Sequence, residues 1–191
     1  MLTKRVFLAI PINPVEPVIE KMTRLKNRLA DYRIKWVNRE NLHLTLFFFG
    51  EIPLNQIPEL RKLLRSTTHN LPSFSFSLTG PGIFKKGKEP KVLWLGIKAP
   101  DLLFDIKKEV DRTVASMGYI PDEKTFRPHL TLGRFMPRQE VHPDLENALK
   151  EMQTDESIEY TASELILFES KLSPEGAQYF PIEVFPLSKE N

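Results

Sequence analysis

Apolar residues recur along the chain in two rhythms. An unbroken run, Val6-Phe7-Leu8-Ala9-Ile10-Pro11-Ile12, predicts a buried strand. Val18, Met22, Leu25 and Leu29 then fall at helical spacing, so a helix is expected from Pro14 to about Leu29, with Asn13 as N-cap and Pro14 at the first helical position. Leu42 to Phe49 reads as a strand. Leu54 to about Thr68 reads as a helix, with Ile57, Leu60, Leu63 and Leu64 on one side. Phe74, Phe76 and Leu78 alternate with Ser75, Ser77 and Thr79, a period of two. Gly80-Pro81-Gly82 is expected to turn the chain into a strand over Val92 to Ile97.

A second cycle follows. Leu103, Ile106, Val110 and Val114 stay in helical register between Leu102 and about Met117, and Gly118 suits a C-cap. Pro128 to Phe135 is a predicted strand, and Asp144 to about Met152 a short helix. Ser157 to Phe168 and Gln178 to Phe185 read as closing strands around Ser173-Pro174-Glu175-Gly176, ahead of a charged, frayed end at 188–191. Strands mixed with helices, and a hairpin over 74–97, predict an α+β fold with mainly antiparallel sheets.

The tetrapeptide His-Leu-Thr-Leu occurs twice, at residues 43–46 and 129–132, its histidines 86 residues apart. Four histidines and eleven threonines in 191 residues make chance an unsatisfactory source of both copies. Side chains two apart on a strand share a face. His43 and Thr45 therefore project together, as do His129 and Thr131, while the leucines anchor the opposite face. Each motif follows a predicted helix. Two related halves are expected, each a small sheet backed by helices, enclosing a shared cleft within one bilobal domain over 1–191.

An imidazole titrates near pH 6.5, so both protonation states are available near neutrality. In-line displacement at phosphorus needs one group to deprotonate the attacking oxygen and another to protonate the departing one. His43 and His129 suit that pair, and the Thr45 and Thr131 hydroxyls suit the non-bridging phosphate oxygens. Arg127 has the parity of His129 if the strand continues through Pro128. Arg134 has the opposite parity unless Gly133 marks a bulge that re-aims it. Either arginine is a phosphate ligand or a salt-bridge partner. Phe47 shares the His43 parity and either stacks on a base or packs in the core. No acidic cluster accompanies the histidines, so neither metal nor other cofactor is indicated.

The chain is 41% hydrophobic and 27% charged, with a net charge of +2 and a pI near 8.7. An anionic partner is permitted without being demanded. Cysteine is absent, which excludes disulfides, thiolate catalysis and Cys-ligated zinc and makes a reducing cytoplasm the default. No apolar run is long enough to span a membrane. The N-terminal basic-then-apolar stretch imitates a signal peptide but stops at Pro11 without a cleavage site.

At the two motifs, and at Arg5-Val6-Phe7-Leu8-Ala9-Ile10, Asn41 to Gly50 and Phe126 to Arg134, the sequence resembles the two-histidine (2H) phosphoesterases. Within them it is similar to the LigT-like RNA 2',3'-cyclic phosphodiesterases, also called 2',5' RNA ligases. The resemblance implies a LigT-like bilobal fold, two antiparallel sheets with helices outside a central cleft. It implies hydrolysis of an RNA 2',3'-cyclic phosphate to a 2'-phosphate, with His43 the proton donor, His129 the proton acceptor and both threonines on the phosphate. The implied partner is RNA with a cyclic phosphate end, such as a tRNA fragment or oligonucleotide, acted on by a monomer. The alternatives are an RNA-end or nucleotide binding module without chemistry, and 2',5' ligation as the main activity.

Overall fold

The computed structural model describes residues 2–13, 15–122, 125–153, 157–173 and 176–188. In chain order these form β1 (Thr3–Pro11), α1 (Glu16–Arg28), β2 (Ile34–Trp36), β3 (His43–Pro53), α2 (Ile57–Thr68), β4 (Phe74–Lys86), β5 (Glu89–Lys98), α3 (Asp101–Ser116), β6 (His129–Phe135), α4 (Pro143–Glu151), β7 (Ile158–Ala162), β8 (Glu164–Ser173) and β9 (Gly176–Pro186). Two sheets result, ordered β3-β1-β8-β9 and β2-β6-β5-β4-β7. Their paired strands are all antiparallel, as the α+β reading expects. The two His-Leu-Thr-Leu segments open β3 and β6, one on each sheet.

The sheets do not divide the chain into halves. β1 and β3 are completed by β8 and β9 from the other end of the sequence, while β2 leaves for the second sheet. The expectation that each half of the sequence forms its own small sheet is corrected accordingly. Ser163 alone separates β7, in the second sheet, from β8, in the first, so the strand expected from Ser157 to Phe168 is two strands on different sheets. Both segments alternate or run apolar, and hydropathy gives no sign of the change of sheet.

β1 is flanked on both sides, and its continuous apolar run suits that position: Val6 to Ile10 are at most 2% exposed. α1 buries Val18, Met22 and Leu25, and Leu29 just beyond its end is buried with them. It starts later than expected, at Glu16 behind Val15, with Pro17 in the first turn. Asn13 is therefore not its cap, and Pro14 lies outside the described residues. α3 buries Leu103, Ile106, Val110 and Val114 as its spacing predicts. It packs on α2, where the Thr67 and Thr113 hydroxyls bond at 2.7 Å.

Gly80-Pro81-Gly82 is not a turn. It lies inside β4, where the ladder with β5 slips between Leu78 and Pro81; a proline has no N–H to give a ladder and settles at such an irregularity. The chain reverses further on, near Gly87, whose φ of +60° favours glycine. β2 is too short to show a period. It fits against β6 because Gly133 has no side chain: a Cβ there would lie 2.6 Å from Ile34 Cγ2. The turn expected at Pro174-Glu175 and residues 189–191 of the expected frayed end lie outside the described residues; Ser188 is not frayed but bridged to Pro72, and Ser173 and Gly176 pair as a hairpin requires.

The motif leucines hold their strands in register. Leu44 is 1% exposed and Leu130 fully buried. Leu44→Ala or Leu130→Ala should each destabilise the fold by about 2–5 kcal/mol, the range for buried leucine truncation, read as a lower urea midpoint at unchanged slope.

Candidate active site

β3 is an edge strand, and its pairing with β1 sets the geometry. His43 lies opposite Pro11 and Thr45 opposite Ala9. The ladder then skips Leu46, so that Phe47 faces Leu8, and skips Phe49, so that Phe48 faces Phe7 and Gly50 faces Val6. Each skipped residue shifts the alternation by one. Phe48, not Phe47, therefore joins His43 and Thr45 on the cleft face. Phe47 is 7% exposed and packs in the core beside Phe49, which corrects the expectation that it shares the His43 face. Phe48 is 49% exposed, and the Arg5 guanidinium lies 4.8 Å from its ring centre.

The second motif repeats the device. On β6, His129 lies opposite Gly96 and Thr131 opposite Trp94. Leu132 is skipped, so Gly133 faces Leu93 and Arg134 faces Val92. The bulged residue is thus the second leucine of both tetrapeptides. The alternation changes after it, and Arg134 arrives on the face of His129 and Thr131, as the re-aiming at Gly133 anticipates. Phe48 and Arg134 occupy equivalent places five residues beyond each histidine.

Arg127 behaves differently. β6 begins at His129, so the strand does not continue back through Pro128, and Arg127 lies outside it, exposed. Its backbone takes part instead. The Arg127 carbonyl accepts a hydrogen bond from His129 Nδ1 at 2.7 Å, and the Asn41 carbonyl accepts one from His43 Nδ1 at 2.6 Å. A carbonyl only accepts, so Nδ1 carries the proton in both rings and each neutral imidazole has its lone pair on Nε2. Sequence reasoning missed these locks, since they come from the main chain two residues before each histidine.

Aromatic rings fix the imidazoles. His43 lies 4.9 Å from Phe7 and edge-on to Tyr179 at 5.2 Å. His129 is edge-on to Phe84 at 4.9 Å, and Trp94 lies 6.5 Å away. Burial pushes the His43 pKa down; the Asn41 carbonyl opposes this, and the charges of His129 and Arg134 lower it further. Burial likewise lowers His129 against the Arg127 carbonyl, with Arg134 adding to the fall. His43 and His129, from two sheets, thus lie within electrostatic reach of each other and of one guanidinium. Burial raises Tyr179, against which Arg134 and Arg5 act. Among the described residues no group of three or more His, Asp or Glu is placed to hold a metal ion, and no helix is long and apolar enough to cross a membrane.

The fold and sequence have known counterparts. A crystal structure of a Thermus thermophilus protein superposes with a TM-score of 0.78 at 26% identity, covering 98% of this chain and all of that one. Escherichia coli LigT complexed with 3'-AMP shares the fold, with a TM-score of 0.72 at 23% identity over 97% of this chain and 99% of that one. The RNA 2',3'-cyclic phosphodiesterase of Methanothermobacter thermautotrophicus is 33% identical over 96% of this chain and 98% of its own length. The RNA 2',3'-cyclic phosphodiesterase of Thermotoga maritima is 34% identical over 92% and 91%. Residues 14–173, which include both motifs, match the family model of the 2'-5' RNA ligase superfamily. With twin motifs, two sheets and full-length relatives in agreement, the chain belongs to the 2'-5' RNA ligase superfamily of two-histidine phosphoesterases.

Proposed function

We propose that this protein hydrolyses RNA 2',3'-cyclic phosphate ends to 2'-phosphomonoesters without a metal, using His43 and His129 as acid and base. The observation that carries the reading is the pair of matched imidazoles. Each is locked through Nδ1 to a main-chain carbonyl, each presents Nε2, and the two rise from separate sheets with an arginine between their fields. The names of the full-length relatives support the substrate class.

The cyclic phosphate lies between the rings, its non-bridging oxygens bonded by the Thr45 and Thr131 hydroxyls and by Arg134. His129 Nε2 takes a proton from water as its oxygen attacks phosphorus. The P–O3' bond breaks in line, and protonated His43 gives its Nε2 proton to the departing 3' oxygen. One water is added; the products are a 2'-phosphate and a free 3'-hydroxyl. His43 and His129 then hold each other's starting protonation states and exchange a proton with solvent before the next turnover. The assignment of donor to His43 follows the order of the family's motifs. The bound phosphate anion opposes the burial and cationic neighbours that favour neutral rings. The protein acts as a monomer in the cytoplasm in this reading.

Incubated with a 2',3'-cyclic oligoribonucleotide in excess EDTA, the protein should convert the end to a 2'-phosphate at an undiminished rate. Inactivation by the chelator, restored by a divalent ion, would refute metal independence. Tight binding with unchanged RNA would replace the enzyme by a binding module, and a 2',5'-linked product in preference to the monoester would make ligation the main activity.

A further inference from the structure

The cleft face of the second sheet continues well beyond β6. Residues directly opposite across a ladder share a face. Thr131 opposite Trp94 and His129 opposite Gly96 carry this one onto β5; Trp94 opposite Gly82 and Lys98 opposite Ser77 carry it onto β4; Ser77 opposite Glu159 carries it onto β7. Three strand spacings separate β6 from β7, about 14 Å. Along that path lies a cavity of about 720 Å³ whose lining includes Ser77, Thr79, Trp94, Lys98 and Glu159.

Trp94 forms the floor between this cavity and the histidine. A Cβ on Gly82 would lie 2.3 Å from its Cη2 and Cζ2 atoms, and one on Gly96 3.6 Å from Cζ3. The indole therefore covers the backbone of Gly82, and its edge reaches Gly96. Phe84 continues the aromatic surface, 5.2 Å from Trp94 and 4.9 Å from His129. The indole N–H is buried without a hydrogen-bond partner among the described residues. Such a donor destabilises a fold, so what this position supplies is ring area. Among the described residues the cavity's charged groups are not paired with each other: Lys98 has no ion-pair partner there, and Glu159 accepts the Ser157 hydroxyl at 3.1 Å.

A flat ring, a cation, hydroxyls and a carboxylate are the partners of a nucleotide's base face, phosphodiester and amino edge. We propose that this cavity binds the nucleotide on the 5' side of the cyclic end, its base stacked on Trp94, its phosphodiester at Lys98 and its amino group donating to Glu159. The inference rests on the activity proposed above and adds a second nucleotide subsite to it. Adenine, cytosine and guanine carry an exocyclic amino group to donate to this carboxylate and uracil does not, so these three are favoured over uracil there.

The test compares kcat/KM on adenosine 2',3'-cyclic phosphate with that on the dinucleotide ApA ending in the same group. One stacked base is worth about 5- to 150-fold, and the dinucleotide should be preferred within that range. Trp94→Ala should collapse the ratio of the two values towards one, Trp94→Phe should restore it, and Lys98→Gln should lower it. Glu159→Gln should reduce the preference for ApA over UpA. A purely structural Trp94 would slow both substrates in proportion and leave the ratio intact, which would overturn the subsite, as would equal wild-type values. Binding gives a readout separate from turnover. Trp36→Phe leaves Trp94 as the only tryptophan of two. Its fluorescence should be quenched by ApA 2'-phosphate and not by adenosine 2'-phosphate. Quenching without turnover would keep the subsite and remove the activity; turnover without selective quenching would do the reverse.

Discussion

Alanine at His43 or at His129 should lower kcat/KM on a 2',3'-cyclic ribonucleotide by about 10²- to 10⁴-fold, the contribution of a positioned acid or base. The double variant should be much less than multiplicatively worse, because both rings serve one transition state. Circular dichroism and urea midpoints separate this loss from unfolding. The two roles are distinguished by the leaving group. A phosphodiester with a p-nitrophenolate leaving group needs no proton donor, so it should largely rescue His43→Ala and leave His129→Ala impaired. The reverse pattern would exchange the roles. That outcome has a physical basis to be set against the motif order: His43 is pressed towards its neutral form by burial, by His129 and by Arg134, whereas the causes acting on His129 are burial and Arg134. Full activity in either single variant would end the acid–base reading altogether.

Arg134→Leu should produce the second largest effect, a fall of about 10²- to 10³-fold, the scale for removing one preorganised donor to developing anionic charge. It should also move the pH profile. The proposed reaction requires one imidazole protonated and one neutral. With both folded-state pKa values lowered, the bell for free-enzyme kcat/KM should lie on the acid side of the ordinary imidazole value near 6.5. Removing the Arg134 charge raises both, so both limbs should shift to higher pH. Burial, the first cause for both rings, remains in the variant and keeps both values below the ordinary imidazole range. Arg127→Leu should change little, since its contribution to the site is a main-chain carbonyl that any residue supplies. An equal loss at Arg127, or a profile unmoved at Arg134, would contradict this electrostatic account.

Much of this arrangement could be read from the residues. The leucines of the twin motifs indicate which side of each strand is buried, and the histidines and threonines follow on the other. The helices announce themselves through Leu103, Ile106, Val110 and Val114, or Val18, Met22 and Leu25. Parity fails where a bulge intervenes. Gly133 signals one in the second motif, but nothing comparable marks Leu46, because three successive phenylalanines suit either face equally. Comparing the two motifs residue by residue would have transferred the bulge and chosen Phe48 over Phe47. The departure of β2 from its neighbours, and the change of sheet at Ser163, depend on pairings between distant segments, which no local pattern encodes.

The origin of the first sheet bears on how the molecule comes into being. β1 stands between β3 and β8, so one of its two flanks waits for a strand made near the end of synthesis. On the ribosome, the segment bearing His43 therefore emerges beside an unfilled apolar edge, an aggregation hazard while translation continues. The sheet that carries His43 is completed last, although its histidine is translated first. A stalled or prematurely terminated chain would hold His129 and its neighbours on β4, β5 and β6 yet lack the finished sheet that carries His43 on the other side of the cleft.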